Sequence, residues 1–245
     1  MAGRTGYEPL GQLKPFGPDI WIVDGPNIRF YGMPFPTRMT VVRLRDGGLW
    51  LHSPIALDEA LQAEIAALGP VRHLVAPNWI HYASVYQWQE GWPEAPTWAA
   101  PGVAARAKKH DVPIRIDTEV TNDAAPDWSD EIPFRHVTGS PVHSEVVFFH
   151  GASRTLILTD LIENFAPEHL PWWMSAVTRL AGIVTPDGRT PPDIAATFRK
   201  AKPEVRAHIE WMIGQGPEKV IMAHGRPYEE DAVPRLRHAF RQLLR

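Results

Sequence analysis

Four apolar runs in this 245-residue chain lead to side chains that can ligate a metal or hydrogen-bond a polarised oxygen. GGLWLH closes on His52, RTLILTD on Asp160 and KVIMAHG on His224, while LVAPNWIHYAS breaks at Pro77 into a short stretch holding Asn78 and His81. Imidazole nitrogen and carboxylate oxygen suit zinc or iron, and a catalytic ion needs about three protein ligands and one open position. A primary amide such as Asn78 can donate to an oxyanion. Each residue also has a plain structural reading. A carboxylate at a strand end caps the following turn, His224 before Gly225 holds a strand-to-loop turn, His52 plays an inner structural role, and Asn78 after Pro77 forms a turn. The residues alone leave both readings open.

Composition narrows the classes. There is no cysteine, which excludes disulfides, thiolate metal sites and cysteine nucleophiles. A net charge of −3 leaves no basic footprint, so no nucleic-acid partner is expected. The first residues, MAGRTGYEPLGQLKPFG, lack the apolar core of a signal peptide. No apolar run approaches the ~18 residues of a membrane span. A soluble, cytoplasmic protein is the expectation. GxSxG, GxGxxG and GxxxxGK[ST] are absent, which argues against a serine-elbow hydrolase and against a nucleotide phosphate loop. The 25 prolines imply short elements joined by fixed turns, and the 10 tryptophans are expected in cores or pocket walls.

The elements that must position these residues alternate in type. DIWIVDG reads as a strand ending in a turn at Gly25-Pro26, and MTVVRLRDGGLWLHS as a hairpin around Asp46-Gly47-Gly48. Residues 58–68 carry Ala60, Leu61, Ile65 and Leu68 at helical spacing. VRHLVAP is a strand, YASVYQWQEGW a helix, and TWAAPG, a short helix over 103–109 and VPIRIDTEV continue the alternation. EVVFFH and RTLILTD are strands across a turn at Gly151-Ala152-Ser153. Helices over 171–182 and 191–214, the strand KVIMAHG and a helix in DAVPRLRHAFRQLLR complete the chain. Early hairpins followed by β-α-β units predict sheets covered by helices in a single domain, 1–245.

That order and these strand ends resemble the metallo-β-lactamase-like superfamily of metallo-hydrolases and oxidoreductases, from YEPLGQLKPFGPDIWIVDG to VIMAHG. The resemblance implies an α/β fold of αββα type, two mixed β-sheets packed face to face and flanked by helices. It makes Asp160 of LILTDL the counterpart of a metal-bridging aspartate and His224 of VIMAHG that of the last metal histidine. PNWIHYA, with Asn78 and His81, stands where the family carries HxHxDH, so that motif is degenerate here. TGSPVHS, with Ser140 and His143, stands where a further histidine belongs.

On that resemblance His81, Asp160 and His224 hold one divalent ion, zinc ahead of iron or manganese, with His52 as a fourth ligand or an orienting neighbour. Asn78 and Asp160 would serve catalysis, Asn78 by donating to an oxyanion. The expected activity is metal-dependent hydrolysis of an ester, lactone, amide or related bond in a small molecule. The alternative is a noncatalytic descendant without metal, binding a small apolar ligand or a protein partner. Downstream, Trp172, Trp173, Val177, Leu180 and Ala181 give the segment after Pro171 a wide apolar face. Core packing is its first reading; a lid over a tryptophan-rich cleft, a homodimer interface and a membrane contact are the others.

Overall fold

The first half of the chain builds one sheet in sequence order. The computed structural model describes residues 7–30 and 32–245, so residues 1–6 of the stretch read as lacking a signal peptide lie outside the described residues. Strands β1 (Lys14–Gly17), β2 (Ile20–Phe30), β3 (Met33–Arg43) and β4 (Leu49–His52) are joined antiparallel. The β3–β4 turn closes through Asp46, whose Oδ1 accepts the Gly48 N–H at 2.8 Å, and through Gly47 in the left-handed region. Parallel strands then need crossovers. Helix α1 (Glu59–Leu68), capped by the Asp58 carboxylate on Leu61 N, leads to β5 (Val71–Ala76). Helix α2 (Val85–Gly91) leads to β6 (Thr97–Ala99), and α3 (Val103–Lys109) to β7 (Thr118–Glu119).

A second sheet of four strands comprises β8 (Phe134–Val137), β9 (Glu145–His150), β10 (Thr155–Ile157) and β11 (Lys219–Ile221), in the order β11-β10-β9-β8. Among the described residues of this sheet, β10 and β11 pair parallel and the other pairs are antiparallel. Helices α4 (Trp172–Ala181), α5 (Pro192–Thr197) and α6 (Lys202–Gly214) lie between β10 and β11, and α7 (Ala232–Ala239) follows.

Period-two alternation in these strands makes the layers. Val146 and Phe148 of β9, Ile157 of β10 and Ile221 of β11 enter a core shared with Trp50, Val41 and Leu74 of the first sheet. Their neighbours Val147, Leu156 and Val220 point the other way, into a core with Ile209 and Met212 of α6 and Leu236 of α7. Strands buried on both faces read as continuous apolar runs, which is why EVVFFH and RTLILTD carry little polarity. Each fully buried aliphatic or phenyl side chain contributes ~1.5–3 kcal/mol. Two mixed sheets flanked by helices, the expected fold class, are what the chain forms.

Some expected boundaries are corrected. No turn ends the strand at Gly25-Pro26; β2 runs on to Phe30, and its register with β3 slips between Gly25 and Ile28. A bulge tolerates the proline that a regular ladder would not. The helix expected over 191–214 is broken by a 3-10 turn at Phe198–Lys200, and Pro203 starts a new helix in its first turn. Strand β8 had no counterpart in the sequence reading. The apolar face after Pro171 is not core: Trp172 is 84% and Leu180 92% exposed, with Trp173 and Val177 also in solvent. Met174, Ser175 and Thr178 form the buried side of α4 instead.

Candidate metal centre

Three strand ends meet at one carboxylate. Asp160 lies three residues beyond β10, where Thr159 N and Asp160 N donate to the two oxygens of Glu145 at 2.7 and 2.9 Å. Glu145 opens β9, is fully buried, and is bridged to Asn78 across the two sheets. The Asn78 amide donates to Thr159 Oγ1 at 2.9 Å and to Asp160 Oδ2 at 2.6 Å. Its Oδ1 accepts the backbone N–H groups of Ile80 and His81, both at 2.8 Å. That closed turn fixes the register of PNWIHYA and directs His81 inward.

The other Asp160 oxygen, Oδ1, stands between two imidazoles. His81 Nε2 is 3.2 Å away and His224 Nε2 3.1 Å away. Each ring is oriented through its second nitrogen. His81 Nδ1 pairs with Ser53 Oγ at 2.7 Å, and that hydroxyl donates to the Arg38 carbonyl. His224 Nδ1 donates to the Pro36 carbonyl at 2.8 Å, which turns Nε2 toward Asp160. Arg38 braces the same strand end: Nη1 donates to Met222 O at 2.6 Å and Gly225 O at 2.7 Å. Its charge is met by buried Asp24 at 2.7 Å, which also pairs with Lys14. Gly225 turns with φ of +98°, and a side chain there would collide with the Asn164 carbonyl.

The fit to a cation is direct. One ligand atom each from His81, Asp160 and His224 lies within 4.8 Å of the others. Both Nε2 atoms face the carboxylate while both Nδ1 atoms are engaged behind them, the outer arrangement that metal-binding histidines use. Burial pushes His81 down, but the facing Asp160 carboxylate outweighs it and the pKa is raised. Burial pushes Asp160 up, and the charge of His81 with hydrogen bonds from both rings brings it well below the usual carboxylate range.

The remaining expected residues fall elsewhere. His52 is not brought to the cluster. It points into the core between the sheets, stacked on Trp50 at 5.6 Å and edge-on to Phe148 at 5.3 Å, and its Nε2 has no hydrogen-bond partner among the described residues. Burial, then the charge of His81, pushes its pKa down to about 3. His143 lies 3.2 Å from Glu145 Oε2, behind the carboxylate that holds the Asp160 backbone. Ser140 Oγ accepts the His143 N–H at 3.0 Å. Ser53, Glu145 and Thr159 lie in LWLHS, EVVFFH and LILTD without the sequence singling them out, and nothing local marks Arg38.

Asp160 and His224 form part of the wall of a cleft of about 250 Å³. Its apolar walls include Met33, Phe35, Ile183 and Ile194, and Glu163 and Asp193 add two carboxyls. No tryptophan lines it, so the tryptophan-rich cleft expected above is an aliphatic one with one phenyl ring. His81 opens on a separate hollow of about 80 Å³ that shares Ile28 and Ile80 with the cleft.

Residues 18–174 match the family described as Domain of unknown function (DUF4336). No curated protein matches the chain. Among solved structures it is similar to the DIM-1 metallo-β-lactamase exposed to ceftazidime, with TM-score 0.66, 12% identity and 95% of each chain covered. It is also similar to a metallo-β-lactamase from Pontibacter korlensis, with TM-score 0.59, 14% identity and 95% and 98% of the two chains covered. The metal-soaked Flv1 flavodiiron core from Synechocystis sp. PCC6803 gives TM-score 0.64 at 11% identity, over 95% of this chain and 60% of that one. At these identities the likeness establishes the metallo-β-lactamase-like fold.

Proposed function

This chain belongs to the DUF4336 family, and from its fold and its His–Asp–His cluster we propose that it is a metal-dependent hydrolase with a mononuclear site. The observation that carries the proposal is the convergence of His81, Asp160 and His224, each ligand atom within 4.8 Å of the others, beside a cleft. Those three residues would hold one divalent ion, zinc ahead of iron or manganese, since two imidazoles and a carboxylate form a set common at catalytic zinc. Such an ion supplies Lewis acidity and a water acidic enough to ionise near neutral pH.

The chain's own residues do the positioning. Ser53 and the Pro36 carbonyl set the two imidazoles with Nε2 toward Asp160. Asn78 spends both amide hydrogens on Thr159 and Asp160, so its proposed role is to orient the carboxylate rather than to meet an oxyanion. Glu145 fixes the Asp160 backbone from behind. The aliphatic wall admits an apolar ester, lactone or amide and limits water around it. The test is turnover of a panel of small apolar esters, lactones and amides by protein loaded with zinc, iron or manganese. Turnover that requires the ion and vanishes in His224→Ala supports the proposal. Turnover that survives chelation, or none from any loaded form, sinks it.

A further inference from the structure

Glu163 is a buried acid whose carboxyl has no hydrogen-bond or ion-pair partner among the described residues. Its backbone is paired with Arg189 in both directions at 3.1 Å, so the segment is well anchored. Its side chain, in a residue only 8% exposed, makes no hydrogen bond or ion pair among the described residues, yet it lines the cleft beside Asp160 and His224. Leaving a buried carboxyl unpartnered is costly. Burial pushes it up to about 8, against the pull of His224 and with the Asp160 and Asp193 carboxylates adding to the rise. Asp193 stands in the same lining but is exposed, which places a second carboxylate at the mouth.

Among the described residues that line the cleft, none is Lys or Arg. Asp160 already faces His81 and His224, so the carboxyls left to meet a ligand are Glu163 in the wall and Asp193 at the mouth. The walls between them are Ile28, Met33, Phe35, Ile80, Ile183 and Ile194. At about 250 Å³ the space falls below the ~300–1,000 Å³ of drug-sized sites, which limits it to a small molecule.

We propose that this cleft binds small apolar compounds bearing an amino group, the ammonium seated on Glu163 with Asp193 drawing it in, and that it discriminates against carboxylates. The proposal rests on the reading above only in placing the substrate in this cleft; it names the substrate class. An ammonium beside Glu163 favours its ionised form and makes a charge-assisted bond to it, whereas a carboxylate finds no Lys or Arg among the described lining residues and meets Asp193 at the mouth.

The test uses three matched probes, phenethylamine, phenethyl alcohol and phenylacetate, in equilibrium binding to the purified, chelator-treated protein. The amine is expected to bind about tenfold or more tighter than the alcohol, with the carboxylate weakest. Glu163→Gln, which keeps shape but not charge, should bring the amine to the alcohol's level while the alcohol still binds, which also reports an intact cleft. Equal binding of amine and alcohol, tightest binding by phenylacetate, binding by none, or a preference that survives Glu163→Gln overturns the proposal. Since the chelated protein is used, a failure of metal binding leaves this result intact, and a failure here leaves the metal stoichiometry untouched.

Discussion

Asp160 divides its two oxygens between two tasks. Oδ2 is anchored by Asn78, and Oδ1 is presented between His81 and His224. Removing the anchor should loosen the ligand without removing it: Asn78→Ala is expected to weaken metal affinity by roughly 10–100-fold, the usual effect of losing an outer hydrogen bond, as read by a competitive chelator titration. An affinity unchanged from wild type would contradict that role. His52 makes a different prediction. The unfolded chain takes a proton there near the ordinary 6.5, whereas the folded protein refuses it until about 3. Folding is therefore favoured by the neutral ring above 6.5, and that advantage is lost as pH falls toward 3, at up to ~1.4 kcal/mol per pH unit. His52→Phe keeps a ring against Trp50 and Phe148, so between neutral pH and pH ~5 it should lose roughly 2 kcal/mol less stability than wild type. Urea denaturation at both pH values measures it, and parallel losses would show that His52 does not govern the acid limb.

The elements that deliver the site are tied to each other by Arg38 of β3. Its side chain reaches the carbonyls that flank His224, and its own carbonyl accepts from the Ser53 hydroxyl behind His81. Arg38→Met strips buried Asp24 of one partner and leaves it Lys14. The expected loss is toward the lower end of the ~3–5 kcal/mol seen when a buried pair is broken, with weakened metal binding alongside. Urea denaturation and metal titration check both, and a variant as stable as wild type would dismiss the brace. Such ties explain what could be read from the sequence. Runs such as EVVFFH and RTLILTD announce strands, and a ligand-type residue at a strand end announces itself by type and place, as Asp160 and His224 do. Arg38 and Met222 are separated by 184 positions and meet only in the folded chain. The continuation of β2 past Pro26 was hidden because proline signals a turn unless a partner strand accommodates a bulge. Glu163 was hidden too, since only the tertiary structure shows a carboxyl without a partner inside an aliphatic cleft.

At the scale of the whole molecule, the two sheets share one core while α6 and α7 cover the outer face of the second. Helix α4 belongs to neither core: its Met174 packs in a small cluster with Phe165, Leu170 and Ile183, and its outer face is in solvent. Leu180→Lys should therefore shift stability by no more than about 0.5 kcal/mol, while Met174→Ala should cost ~2–5 kcal/mol. Denaturant midpoints compare them, and a large cost for Leu180→Lys would mean that the face is covered. No helix among the described residues is long and apolar enough to cross a membrane. The architecture thus places a His–Asp–His cluster where strand ends of both sheets converge. Its central claim is tested most directly by metal stoichiometry, determined by elemental analysis of protein purified without added metal and again after reconstitution with zinc, iron or manganese. About one equivalent of a divalent ion is expected, bound tightly by wild type and lost in His81→Ala, Asp160→Ala and His224→Ala. Near-zero metal after reconstitution, or full metal retained by those variants, would contradict it.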